Sequence, residues 1–163
     1  MTVFISPVLE EEIKKAFEQA DECETRAASI LSLLPLKPIE ELLFRKYKVW
    51  IGDGRLKYHP IAVIRSLLLK ELKDIRSCLR LIAYLYDNPE ELTLLGFGRF
   101  APSSQTYSII RKKRIDAEIR YWMDFVANTI RRFVYENGRQ LDIVSYSKAA
   151  ELRQFKSHHG VNV

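Results

Sequence analysis

The sequence predicts an all-α fold: a multi-helix bundle with a helix-turn-helix-like module and at most one short C-terminal strand. Three observations predict it. Glycine and proline are sparse, six of each in 163 residues, which leaves long runs better suited to helix than to sheet. Apolar residues recur three or four apart along most of those runs, the period of one helix face. Only the stretch 140–147 reads as a strand, with Leu141, Ile143 and Val144 able to pair.

Taken in order, Ser6-Pro7 followed by Glu10, Glu11 and Glu12 reads as a helix start: a cap, a proline in the first turn, and acids at the positive end. Leu9, Ile13, Phe17, Ala20, Ala27, Ile30, Leu31 and Leu34 then form one apolar stripe. That pattern predicts one long amphipathic helix, or two with a break over 21–25. Pro35 and Pro38 end it and restart a helix over 39–47 with Leu42, Leu43 and Phe44 inward. Gly52 and Gly54 around Asp53 make 49–55 a turn segment. His59-Pro60 opens the most apolar helix, and His59 reads as a cap or packing residue. Asp74 can cap the next helix, whose stripe is Ile75, Leu79, Ile82, Ala83 and Tyr86. Asn88-Pro89 ends it and starts a short helix over 90–95, closed by Gly96 and Gly98. Asp116 can cap a last long helix to Glu136 with Ile115, Ile119, Trp122, Val126, Ile130 and Phe133 on one face, terminated by Asn137-Gly138. Leu67, Leu68, Leu79, Ile82, Trp122 and Val126 are expected in the core. The tail 151–163 has weak periodicity and is expected to fray.

Between the last two helices lies the stretch 101–114, where the chemistry concentrates. Pro102 fixes the backbone and Ser103 can cap a helix whose inner face is Thr106, Tyr107 and Ile110. Its other face carries Ser104, Gln105, Ser108, Arg111 and Lys112, all able to hydrogen-bond to phosphates or base edges. From Leu92 to Ile115 there is no acidic residue, whereas Arg99, Arg111, Lys112, Lys113 and Arg114 supply five positive charges. Arg76 and Arg80, on a neighbouring helix, are candidates to extend the same patch. The bland reading is a solvated helix whose terminal cations complement the helix dipole.

Charge placement agrees with an anionic partner. Residues 1–36 hold seven acids against Lys14, Lys15 and Arg26, a balance of −4; with a net charge of +5, the remainder carries +9. Cys23 and Cys78 are the only cysteines and lack metal-ligand neighbours at useful spacing. His158-His159 also lacks such neighbours. No metal or other cofactor is expected. With no leader pattern and no apolar run approaching the ~20 residues of a membrane span, a cytoplasmic protein without a membrane partner is expected.

The stretch from Gly52 to Arg114 resembles the helical N-terminal domain of DDE-type insertion-sequence transposases, the InsH-like group. The ordered elements are Gly54-Arg55, Tyr58-His59-Pro60, the apolar run Val63 to Leu72, the helix Ile75 to Tyr86, Asn88 to Gly96, and Pro102-Ser103 through Thr106, Ser108 and Arg111. They cover about two-fifths of the chain; no single one is specific, and their order carries the signal. The resemblance implies a module that binds double-stranded DNA at the terminal repeats of an insertion element. It also implies that strand transfer belongs to a following ribonuclease-H-like domain whose three acids hold two metal ions.

After Gly138 only Asp142 and Glu151 are acidic. The stretch Leu141 to Ser145 resembles the first catalytic strand, with Ser145 where the acid is expected or Asp142 as that acid in a shifted register. The expected organisation is therefore an N-terminal helical segment (1–48), a helical DNA-binding domain (49–137), and the start of a truncated or missing catalytic domain (138–163), partly disordered. By itself the chain is expected to have no catalytic residues and not to cut DNA, whether it is a remnant, a separate reading frame or an excised fragment. A homodimer and a separately encoded catalytic domain are the protein partners to look for. A free-standing helical DNA-binding regulator, or a helical oligomerisation protein built on the Leu9 to Leu34 stripe, remain as other readings.

Overall fold

The computed structural model describes residues 4–47 and 58–144; the turn segment 49–55 and the tail 151–163 lie outside the described residues. Among those described there are eight helices and no strand: α1 (Ile5–Gln19), α2 (Ala27–Ser32), α3 (Lys37–Lys46), α4 (Pro60–Leu72), α5 (Cys78–Asp87), α6 (Pro89–Leu95), α7 (Ser104–Lys113) and α8 (Ala117–Asn137). The all-α expectation holds.

The central element is α4. Ile61 to Ile64, Ser66 to Leu69 and Leu72 are all buried, covering the whole circumference of the helix. A helix apolar all round belongs in the middle, and α4 packs against α2, α5, α6 and α8. Pro60 supplies the fixed first turn, and His59 Nδ1 accepts the Ile61 N–H at 3.1 Å, so His59 is a cap as expected. On one side α1 and α3 pack on α8; on the other α2 packs on α6. At the C-terminus of α6, Gly96 adopts φ +110°, and a Cβ there would stand 3.3 Å from Ala62 Cβ. The left-handed turn and the close approach to α4 both call for glycine.

The structure corrects several expectations. The first apolar stripe divides into α1 and α2, the second of the two alternatives. However, α1 begins at Ile5 without a side-chain cap, and its first turn holds no acid; Ser6 is inside the helix. Glu12 instead reaches across the bundle. Its carboxylate accepts the N–H groups of Leu36 at 2.7 Å and Lys37 at 3.2 Å, holding Leu36 at φ +52° and closing the start of α3. Phe44 is exposed, not inward, because three consecutive apolar residues span about 200° of helix and cannot all face one core.

Asp74 does not cap α5; it sits at φ +52°, and Ser77 takes the cap by accepting the Arg80 N–H at 3.1 Å. The buried face of α5 is Leu81 and Leu85. Leu79 is 67% exposed and Tyr86 48%, so the expected stripe points outward apart from the part-buried Ile75 and Ile82. Finally, 140–144 forms no strand. Asp142 N–H donates to Thr25 O and Val144 N–H to Leu72 O, each at 2.8 Å. The segment straps the N-terminus of α2 to the C-terminus of α4, with Leu141 and Ile143 packed on the core.

Candidate nucleic-acid interface

One face roots α7 in the bundle. Ser103 Oγ accepts the Thr106 N–H at 3.1 Å, the expected cap. Tyr107 is fully buried, its phenol oxygen 2.7 Å from Ser66 Oγ of α4, and Ile110 is buried beside it. Thr106 is only half-buried, its hydroxyl 3.0 Å from Ser103 Oγ. The approach to α7 is also fixed. Tyr58 O–H donates to Ala101 O at 3.2 Å, and Ala101 N–H donates to the Tyr86 phenol oxygen at 3.2 Å. Burial pushes the Tyr107 phenol well above its ordinary range, with the Ser66 contact opposing that rise, so the pair works as neutral hydrogen-bonding groups.

The opposite face is open. Ser104, Gln105, Ser108, Arg111, Lys112 and Lys113 are exposed, as is Arg99 in the preceding loop. Arg114 is half-buried, with its guanidinium 5.3 Å from the centre of the Tyr47 ring. Among the described residues, none of Arg76, Arg80, Arg99, Arg111, Lys112 or Lys113 forms an ion pair. The acids just beyond, Asp116 and Glu118, are both engaged by Lys46. Ile109, 47% exposed, interrupts the polar face, which its place beside the buried Ile110 does not announce in the sequence.

Besides its Tyr107 contact with α4, α7 packs on α5. Arg111 Nη1 lies 3.6 Å from Cys78 Sγ at the first residue of α5, while Tyr86 at its far end meets Ala101 ahead of α7. The two helices therefore run antiparallel, and Arg76, two residues before Cys78, lies at the basic end of α7. Arg80 stands about 160° around α5 from Cys78 at 100° per residue, on the side away from Arg111.

Asp142, the acid that the resemblance brought forward, is engaged structurally. Its Oδ1 accepts the Ala27 N–H at 2.8 Å and its Oδ2 meets Lys73 Nζ at 2.9 Å. Ser145 lies outside the described residues. Among those described, no group of three or more His, Cys, Asp or Glu side chains is placed to hold a metal ion, and no helix is long and apolar enough to cross a membrane.

Compared with known proteins, the chain matches one family model, described as a transposase domain (DUF772), over residues 12–113. That span runs from within α1 to the last residue of α7 and includes the whole of the rooted basic helix. No curated protein and no solved structure matches.

Proposed function

Because the chain belongs to the DUF772 transposase-domain family, we propose that the bundle is the DNA-binding N-terminal portion of a DDE-type transposase and that α7 is its reading helix. One observation carries the reading: α7 is anchored through Tyr107 and Ile110, while its other face presents hydrogen-bonding side chains and cations that no described acid neutralises. In this reading Ser104, Gln105 and Ser108 meet base edges at the ends of an insertion element. Arg99, Arg111, Lys112, Lys113 and Arg114 lie along the phosphates. Arg76 extends the patch at the basic end of α7, and Arg80 adds to the field at longer range. In this reading strand cleavage and joining belong to a catalytic domain distinct from this bundle, and Asp142 serves the bundle.

The test is duplex binding by fluorescence anisotropy as salt is raised. Neutralising about five phosphates gives a slope of log K against log salt near −4.5, and Lys112→Ala with Lys113→Ala brings it to about −2.7. Affinity that is indifferent to salt, or a double variant with the wild-type slope, would overturn the assignment.

A further inference from the structure

We propose that the outer face of α5 is a self-complementary docking surface on which a second copy of this chain pairs antiparallel. Leu79, Ala83 and Tyr86 recur at i, i+4 and i+7, the spacing of a packing stripe. Yet Leu79 is 67% exposed, Tyr86 48%, and Ala83 is exposed as well. The helix already buries Leu81 and Leu85 on the bundle, so it is apolar on two sides, and the second is engaged by the bundle at the Tyr86 hydroxyl, which accepts the Ala101 N–H, while Leu79 and Ala83 stay exposed.

The charges around the stripe identify the occupant. Arg80 stands on the N-terminal half of this face and Asp87 at its C-terminal end; both are exposed, and neither has an ion pair among the described residues. Measured from Cys78, Tyr86, Leu79, Ala83, Asp87 and Arg80 fall at about 80°, 100°, 140°, 180° and 200°, one continuous arc. A nucleic acid would be repelled by Asp87, and an acidic peptide would leave it without a partner. A second α5 in the opposite direction satisfies both charges.

With a two-fold axis at Ala83, Arg80 lies about 4.5 Å to one side along the helix and the partner's Asp87 about 6 Å to the same side, at 1.5 Å per residue. Leu79 then meets the partner's Tyr86 by the same arithmetic, and each contact occurs twice, as an isologous interface requires. Ala83 at the centre has only a methyl group to hold the helices apart, which suits the short end of the usual 8–10 Å separation. A ten-residue helix offers less than the ~800 Å² per partner of a standard interface, so the dimer is weak.

Sedimentation equilibrium on the whole chain at high protein concentration reads the dimer directly. Leu79→Glu should leave a monomer. Arg80→Asp and Asp87→Arg should each weaken self-association about tenfold, equivalent to ~1.4 kcal/mol, because each sets like charges against each other across the axis. An equimolar mixture of those two variants should associate like the wild type, the carboxylates of one facing the guanidinium groups of the other. Unchanged thermal melts establish that the variants fold. A wild type that stays monomeric, single reversals that dimerise normally, or a mixture no better than its components would overturn the proposal. A monomeric wild type whose Leu79→Glu variant loses DNA affinity would overturn it too, and would give the face to nucleic acid.

Discussion

Asp142 caps α2 from 115 residues away: its Oδ1 accepts the Ala27 N–H at 2.8 Å, at a helix end where Arg26 offers no side-chain cap. The same carboxylate meets Lys73 Nζ at 2.9 Å, and Lys73 Nζ also donates to Asp142 O at 3.0 Å. One residue thus fastens the strap after α8 to two helices. Losing a cap of this kind costs about 1 kcal/mol. Asp142→Ala should therefore lower the melting temperature by about 2–4 °C for a chain of this length. Asp142→Asn keeps an acceptor for Ala27 and should lose less. A thermal melt of Asp142→Ala that superimposes on the wild type would show that the strap does not hold the bundle closed.

The Ser66–Tyr107 pair makes a second, ordered prediction. Ser66 Oγ already donates to Val63 O at 2.7 Å, so Tyr107 O–H donates to Ser66. Tyr107→Phe leaves Ser66 with a partner and should cost about 0.5–1.5 kcal/mol. Ser66→Ala strands a buried phenol and should cost about 1–3 kcal/mol, although each variant removes a single hydroxyl. Denaturant titration of the two variants checks the order. The raised Tyr107 pKa adds a pH signature. The folded state holds the phenol proton more tightly than the unfolded one, so this contribution is complete below about pH 10 and is lost as pH rises beyond it. Tyr107→Phe should reduce the alkaline loss of stability.

Asp116 sets the acid side. Burial alone would raise its pKa, but the Ile119 N–H, Lys46 and the Tyr47 hydroxyl outweigh that and hold the carboxyl below its usual value. A depressed folded-state pKa contributes stability that is present above the unfolded value near 3.9 and lost as pH falls through the folded one. Asp116→Asn keeps an acceptor for Ile119 at the start of α8 and removes the titrating charge. Its stability should therefore fall less steeply than that of the wild type below about pH 4. Parallel acid-unfolding curves would show that the Lys46–Asp116 contact contributes nothing measurable.

Helix limits were legible where the local chemistry is decisive. Pro60, Pro89, Ser103 and Asp116 start helices, and Gly96 and Gly138 close them. The inner face of α7 was legible because only Tyr107 and Ile110 there are large and apolar at helical spacing. The phase of α5 was not, because Leu81 with Leu85 and Leu79 with Tyr86 make two apolar faces, and periodicity cannot choose between them. Long-range polar contacts left no local trace. Neither the reach of Glu12 to Leu36 nor that of Asp142 to Ala27 follows from spacing, so a strap carrying Leu141, Ile143 and Val144 has the sequence pattern of a strand.

The finest claim concerns recognition. If α7 enters a major groove, its exposed N-terminal residues meet base edges, and its basic end lies against the backbone. Gln105 is exposed in the first turn and can pair with N6 and N7 of adenine, while Arg111, a turn and a half on, stays with the phosphates. A bidentate pair discriminates by roughly 1–3 kcal/mol, so Gln105→Ala should relax preference at one base pair by about tenfold to a hundredfold. No charge is removed, so affinity for unrelated duplexes and its salt slope should stay as they are. Binding-site selection with wild type and Gln105→Ala gives the answer. Identical base preferences from the two proteins would move recognition to another element while leaving the phosphate contacts of α7 in place.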